Sequence, residues 1–252
     1  MRVALCLSGQ ARGIHLTWPD FKKNIIDKYN ADVFMSFAND SSLTHLFETE
    51  DLGFTELELI KDPSLEYLES ITRGDTPCIQ HLASMGKECT NLAVLRQYYF
   101  INRVNELKKE YEAKNGFKYD WVIRSRADIH ILSTLGNLSK MDNDVVIIPR
   151  SHNGGALNDF FAYSSSENMD KYSNRIKDVK KIPDDLYPFF NPHVELAYIL
   201  KKLHKLKVAT ADIKLKRERS WRGGSSQNVF LYYGEHGVEE YNRRKKENYK
   251  GR

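Results

Sequence analysis

The sequence predicts an α/β protein built on one central sheet, mixed but mostly parallel and flanked by helices. Three observations lead there. A short apolar run, Val3 to Leu7, is followed by a helical pattern and then by a second apolar run, ADVFMSF at 31–37. Such a βαβ opening implies a parallel strand pair joined by a right-handed crossover. Further strand-length apolar runs recur at 120–131, 144–149 and 158–164 among helical segments, the alternation expected of α/β domains. The 252 residues, 41% hydrophobic and 29% charged, are enough for one large domain with a buried core.

Taken in order, the first strand stops at Ser8-Gly9-Gln10-Ala11-Arg12-Gly13. A helix is predicted from Pro19, which suits a first helical position, with Phe21, Ile25, Ile26 and Tyr29 on one face. The second strand closes at Asn39-Asp40-Ser41-Ser42. FTELELI reads as a short strand, PSLEYLESI as a helix and 73–90 as a loop. A long helix spans about Asn91 to Ala113, with Leu92, Leu95, Tyr98, Ile101, Val104 and Leu107 at near-helical spacing and Gly116 at its C-cap. Strands follow at 120–131, DVVIIP and NDFFAYS, the last entered through Gly154-Gly155. A second helix opens at Pro192, and KVATADIKL is a last strand. The chain divides into a domain over 1–215 and a basic C-terminal extension over 216–252, partly ordered at most; from Lys214 onward lie two basic clusters, KLKRERSWR and RRKKENYKGR.

A net charge of +4 permits anionic ligands without demanding nucleic acid. Cys6, Cys78 and Cys89 are odd in number and lack paired or zinc spacing, which fits a reducing compartment. No run approaches the roughly 18 apolar residues of a membrane span. Val3 to Leu7 is too short for a signal h-region of about 7–15 residues. The expectation is a cytoplasmic protein without a transmembrane segment. P-loop, G-x-G-x-x-G and G-x-S-x-G motifs are absent.

The stretch that carries chemistry is DWVIRSRADIHI, 120–131. In a continuous strand Arg124, Arg126, Asp128 and His130 share one face, and Trp121, Ile123, Ala127, Ile129 and Ile131 the other. One reading is an edge strand with a wet face, in which Asp128 is a carboxylate paired with Arg126. The other is a site at the strand's end. Arginine grips phosphate oxygens in pairs, and Asp128-x-His130 offers oxygen and nitrogen to one divalent ion. Together they suggest a nucleoside-diphosphate ligand whose leaving charge a metal neutralises.

This layout resembles that of GT-A glycosyltransferases, and in particular a small family that includes chlorella-virus glycosyltransferases and enzymes of microbial surface-glycan synthesis. VALCLSGQARG, ADVFMSFAND, YDWVIRSRADI and NDFFAYSSSENM, then the helix PHVELAYIL, carry the likeness over most of 1–205. The resemblance implies a single GT-A-like domain with a Rossmann-like N-terminal half. It implies transfer of a sugar from a nucleotide sugar, UDP favoured, to a glycan hydroxyl with Mn2+ or Mg2+. Asp128 would hold the metal, with His130 a second ligand. Ser8, Gly9, Gln10 and Arg12 would cradle the nucleotide, Asn39 and Asp40 would meet base or ribose, and Arg124 and Arg126 the diphosphate, unless one of these arginines orients Asp128 instead. Asp159 is the first candidate for the base that deprotonates the acceptor and Glu195 the second; acidic residues in a first helical turn also serve the helix dipole. His193 offers a further metal ligand or acceptor contact, against the more common case of a single histidine that is neither. Two rival readings stay open: a nucleotidyltransferase acting on a sugar phosphate, and a non-catalytic nucleic-acid-binding module using the basic tail.

Overall fold

The computed structural model describes residues 1–11, 13–39, 52–72, 90–150, 156–183 and 192–218. Arg12, Asp40, Gly154, Gly155, Cys78, Cys89 and the C-terminal clusters beyond 218 lie outside the described residues. The predicted α/β class holds. Strands β1 (Val3–Gly9), β2 (Asp32–Ala38), β3 (Glu56–Ile60), β4 (Trp121–Arg126), β6 (Val145–Pro149), β7 (Phe161–Ser164) and β8 (Lys207–Ala211) form one sheet. Its order is β3-β2-β1-β4-β7-β6-β8. β7 runs antiparallel to both its neighbours, β4 and β6, while every other pairing is parallel.

The crossover helix α1 (Ile14–Phe21) begins earlier than Pro19 predicts. Gly13, at φ 78°, sets the start, and Ile14 N–H bonds to the Ala11 carbonyl. Pro19 therefore lies inside the helix. The helix runs on through a π-helical stretch, Lys22–Ile26, and a last turn, Asp27–Tyr29. Phe21, Ile25 and Tyr29 are buried against one face of the sheet, as their spacing predicts.

Helix α2 (Leu65–Ile71) is capped by the Ser64 hydroxyl, and α3 (Thr90–Asn115) covers the other face of the sheet with Val104. Residues three apart fall about 60° behind at each step of an α-helix, so the predicted three-residue repeat cannot make a straight stripe. Leu95, Tyr98 and Ile101 accordingly pack in a cluster with Leu68, Ile176 and Val179, whereas Val104 packs beneath β1 and β2. Three further helices complete this layer: α4 (Ser166–Ser173), α5 (Arg175–Asp178) and α6 (Pro192–Tyr198), which continues as π-helical Ile199–Leu203. Lys108, fully buried on α3, pairs with Glu112 one turn on at 3.2 Å and ties α3 to α4 through Ser166 at 2.6 Å and Asp170 at 2.8 Å.

Strand alternation holds through β4: Trp121 and Ile123 face α1, and Val122 faces α3. It does not extend to 131. The chain turns at Ala127-Asp128 and re-enters as a separate short strand, β5 (Ile129–Ile131), which pairs with β9 (Leu215–Arg217). Residues 216–218 thus belong to the fold rather than to an extension beginning at 216.

Candidate functional site

From β1 the chain proceeds outward to β2 and β3, then returns to place β4 on the other side of β1. The carboxyl ends of β1 and β4 therefore flank the point where the winding reverses, the place where open α/β sheets bind ligands. Ser8 stands in register with Arg126 across that junction. Ser8 is buried, and its hydroxyl has no hydrogen-bond partner among the described residues. Gly9 has φ 111°, which disfavours any side chain, and the space where a Cβ would point is open. Gln10 is exposed beyond it. Asn39, exposed two residues past its in-register neighbour of Gly9, ends β2 with its N–H on the Ile60 carbonyl.

Opposite this loop, Arg126 chelates Asp128: Nε to Oδ1 at 2.7 Å and Nη2 to Oδ2 at 2.8 Å. Arg217, from β9, adds Nε to Oδ2 at 3.2 Å. Both guanidiniums lie over the ring of Phe160, at 5.3 and 5.4 Å from its centroid. Burial alone would raise the Asp128 carboxyl; the hydrogen bonds and charge of Arg126, then Arg217, more than reverse this and hold it below its ordinary range. The turn itself is fixed by Thr17, whose hydroxyl donates to the Ala127 carbonyl at 2.6 Å.

The sequence places His130 beside Asp128 as a co-ligand. The structure does not. Its Nδ1 is 2.6 Å from Asp20 and its Nε2 3.0 Å from Glu218, so both ring nitrogens are engaged away from the Asp128 oxygens. The turn at Ala127-Asp128 is the cause, because it ends the strand on which the two residues would have shared a face.

Arg124 is also displaced from its predicted role. It is buried on the α3 side of β4, donates to the Asp159 carbonyl, and lies among Tyr172 and Arg175. Burial, with the charge of Arg175, draws its guanidinium down to about 10. It shapes the interior and does not face the β1–β4 junction.

The two predicted carboxylates come together in this interior. Asp159 accepts from Gln97 Nε2 at 2.8 Å, and its Oδ1 is 3.5 Å from His193 Nδ1. Gln97 in turn accepts from Arg126 at 3.4 Å, so one amide joins Asp159 to the Asp128 cluster. Glu195 accepts from the Tyr98 hydroxyl at 2.8 Å. Arg175 lies over the rings of Tyr98 and Tyr172. The two carboxyls are driven apart in acidity. Burial raises Asp159, yet the pull of His193, Arg175, Arg124 and Arg126 brings it below its ordinary range. Burial dominates at Glu195 and, against the Tyr98 hydrogen bond, raises it to about 7. Such divergence of neighbouring carboxyls is how one site keeps a proton acceptor near neutrality.

Gln97, Tyr98, Arg175 and Arg217 carry this arrangement without having been singled out as site residues. Tyr98 reads as core and Arg217 as part of a basic tail. Among the described residues no group of three His, Cys, Asp or Glu side chains is placed to hold a metal, and no helix is long and apolar enough to cross a membrane.

Residues 1–199 match the family described as Domain of unknown function (DUF7796), and the chain belongs to that family. No curated protein matches the chain.

Proposed function

We propose that this DUF7796 protein is a glycosyltransferase that moves a sugar from a nucleoside diphosphate, UDP on the sequence resemblance, to a glycan hydroxyl. The observation that carries the reading is the register of Ser8 with Arg126 at the sheet's switch point, which sets a glycine loop beside the arginine that ends β4. A nucleotide lying over Gly9 would direct its diphosphate toward Arg126. In the transfer, the acceptor oxygen bonds to the anomeric carbon while the bond from that carbon to the diphosphate oxygen breaks. The electron pair leaves on the nucleoside diphosphate, and the hydroxyl proton passes to a carboxylate. Glu195 suits that last role better than Asp159, because a base works best with a pKa near the working pH. Asp159, held ionised, then serves to order Gln97 and His193.

The expected manganese or magnesium fits this donor set poorly. Both Asp128 oxygens are taken by arginines, and both His130 nitrogens by other carboxylates. An ion on Asp128 would share its oxygens with Arg126 and Arg217 and sit against their positive charge. Charge on the departing diphosphate therefore falls first to the guanidiniums.

The test is calorimetric titration of UDP and a panel of other nucleotides, once with manganese and once with EDTA, followed by UDP-sugar hydrolysis. Saturable binding of a nucleoside diphosphate, UDP the tightest, is the expected result. Absence of binding by every nucleoside diphosphate under both conditions would overturn the reading.

A further inference from the structure

We infer that Arg124 and Arg175 form a carboxylate-binding site on the α3 side of the sheet, beside Asp159 and Glu195. The inference rests on the glycosyltransferase reading only where it puts that carboxylate on a sugar.

Hydrogen bonding comes first. Arg175 is fully buried, and its Nε, Nη1 and Nη2 have no hydrogen-bond partner among the described residues. The guanidinium lies 4.9 Å from the Tyr98 ring centroid and 4.5 Å from that of Tyr172. It feels the charge of Asp159 and Glu195 without bonding to either. Arg124 is 1% exposed. Its Nη1 donates to the Asp159 carbonyl, while its Nε and Nη2 have no partner among the described residues. The Tyr172 hydroxyl is unmatched as well. A buried donor left unmade costs its desolvation, and a charged one costs more. Ring faces and charge at a distance do not replace an acceptor.

The balance of donors and acceptors comes second. Against the unmatched guanidinium nitrogens stand Glu195 Oε1 and Asp159 Oδ1, the latter 3.5 Å from His193. Donors are in excess. The excess is of donors rather than of charge, since both guanidiniums also feel Asp159. Water brings as many hydrogens as lone pairs and leaves the excess as it was. A carboxylate brings acceptors alone.

Shape comes third. Nε and Nη2 form the edge of a guanidinium whose parallel N–H bonds match the two oxygens of a carboxylate. Arg126 uses that edge on Asp128, at 2.7 and 2.8 Å. On Arg124 the same edge has no acceptor among the described residues. A halide ion would meet it at one point, a carboxylate at two.

Placement comes last. The Asp159 carbonyl meets Arg124, its carboxylate meets Gln97, and Gln97 meets Arg126. The cluster is thus continuous with the β1–β4 junction. His193, its side chain 25% exposed beside an Asp159 side chain at 2%, marks the point of entry. A carboxylate held here lies in the same interior as Glu195, the proposed proton acceptor. The ligand class is therefore a carboxylate, free or carried by a sugar ring as a uronic acid.

The test titrates formate, glucuronate and chloride at constant ionic strength against the full chain, Arg124→Met, Arg175→Met, Tyr172→Phe and a control outside the cluster, Arg150→Met. Melting curves confirm that each variant is folded. UDP, UDP-glucose and UDP-glucuronate follow. The wild type is expected to bind formate saturably and chloride far more weakly. Arg124→Met and Arg175→Met should each weaken formate by roughly 10- to 100-fold, the weight of a charge-assisted hydrogen bond. Tyr172→Phe, which keeps the ring, should lose up to about 10-fold, and Arg150→Met should stay close to wild type. UDP-glucuronate held tighter than UDP-glucose, with the preference lost in Arg175→Met, would place the carboxylate on the donor sugar. Formate or glucuronate bound without that preference would support a carboxylate that arrives free or on the acceptor. Formate binding that depends on the arginines, with no nucleoside diphosphate bound, would keep the site and remove the glycosyltransferase reading. UDP bound with no carboxylate bound, or carboxylate binding undiminished in every folded variant of the cluster, would overturn the site and leave that reading intact. Failure of the wild type to bind either class would overturn both.

Discussion

Asp128 is bound by Arg126 and Arg217 at distances of 2.7 to 3.2 Å and is almost fully buried. Its removal is therefore a structural event as well as a functional one. Asp128→Ala leaves two guanidiniums facing each other with no carboxylate between them. Breaking a buried pair by removing one partner costs about 3–5 kcal/mol; the partial exposure of both arginines puts this case at the low end, roughly 3 kcal/mol. Asp128→Asn keeps the shape and one acceptor oxygen and should cost less. Urea midpoints of the two variants against wild type read this directly. An unchanged midpoint for Asp128→Ala would mean that the cluster behaves as an exposed ion pair and that Asp128 does not organise the arginines. Either variant used as a binding probe needs this measurement beside it.

The elements show where sequence reasoning reaches and where it stops. Leu215 fills the underside of the β5–β9 ribbon opposite Ile131. Leu215→Ala should cost roughly 2–3 kcal/mol through the lost methyl groups and the cavity left behind. Melting curves against wild type check this; an unchanged midpoint would mean that Leu215 does not hold the ribbon to the core. The βαβ opening, the long helix ending at Gly116, the helix from Pro192 and the alternation within 121–126 were all legible, because each is set by spacing within a few residues. The pairing of β9 with β5 was not, because strand partners more than 80 positions apart leave no local signal. The turn at Ala127-Asp128 was hidden for a related reason: apolar residues at 127, 129 and 131 keep the strand period on both sides of it. That one turn moved His130 from beside Asp128 to the α1 side. Arg217 could have been noticed only as a residue in step with buried Leu215, within a segment whose charge made it read as tail.

Across the whole molecule, the ionisable groups divide into two sets with opposite effects on stability. Glu58, Glu112, Asp128 and Asp159 all lie below their ordinary range. At each, burial raises the carboxyl and nearby donors or cations overturn it: Arg103 at Glu58, Lys118 and Ser166 at Glu112, Arg126 at Asp128, His193 and the arginines at Asp159. A carboxyl depressed in the folded state binds fewer protons there than in the unfolded chain. Its contribution is present above the ordinary values of 3.8 for Asp and 4.5 for Glu, and is lost as pH falls through the folded value. Glu195 works the other way. Raised from 4.5 to about 7, it holds a proton in the folded state that the unfolded chain has released. Stability consequently declines from pH 4.5 to about 7 and is level, with respect to this group, above that. At roughly 1.4 kcal/mol per pH unit the decline is of order 3 kcal/mol. Glu195→Gln can still accept the Tyr98 hydrogen bond but cannot ionise, so it removes the decline. The variant should melt near wild type at pH 5 and several degrees above it at pH 8, since about 1 kcal/mol moves the midpoint of a chain this size by roughly 2–4 °C. The same variant separates stability from catalysis. If Glu195 accepts the acceptor's proton, the wild-type transfer rate should climb through about pH 7 and the Gln variant should lose that rise while folding more stably. A melting difference that does not change with pH would show that Glu195 is not raised, and would return the base to Asp159.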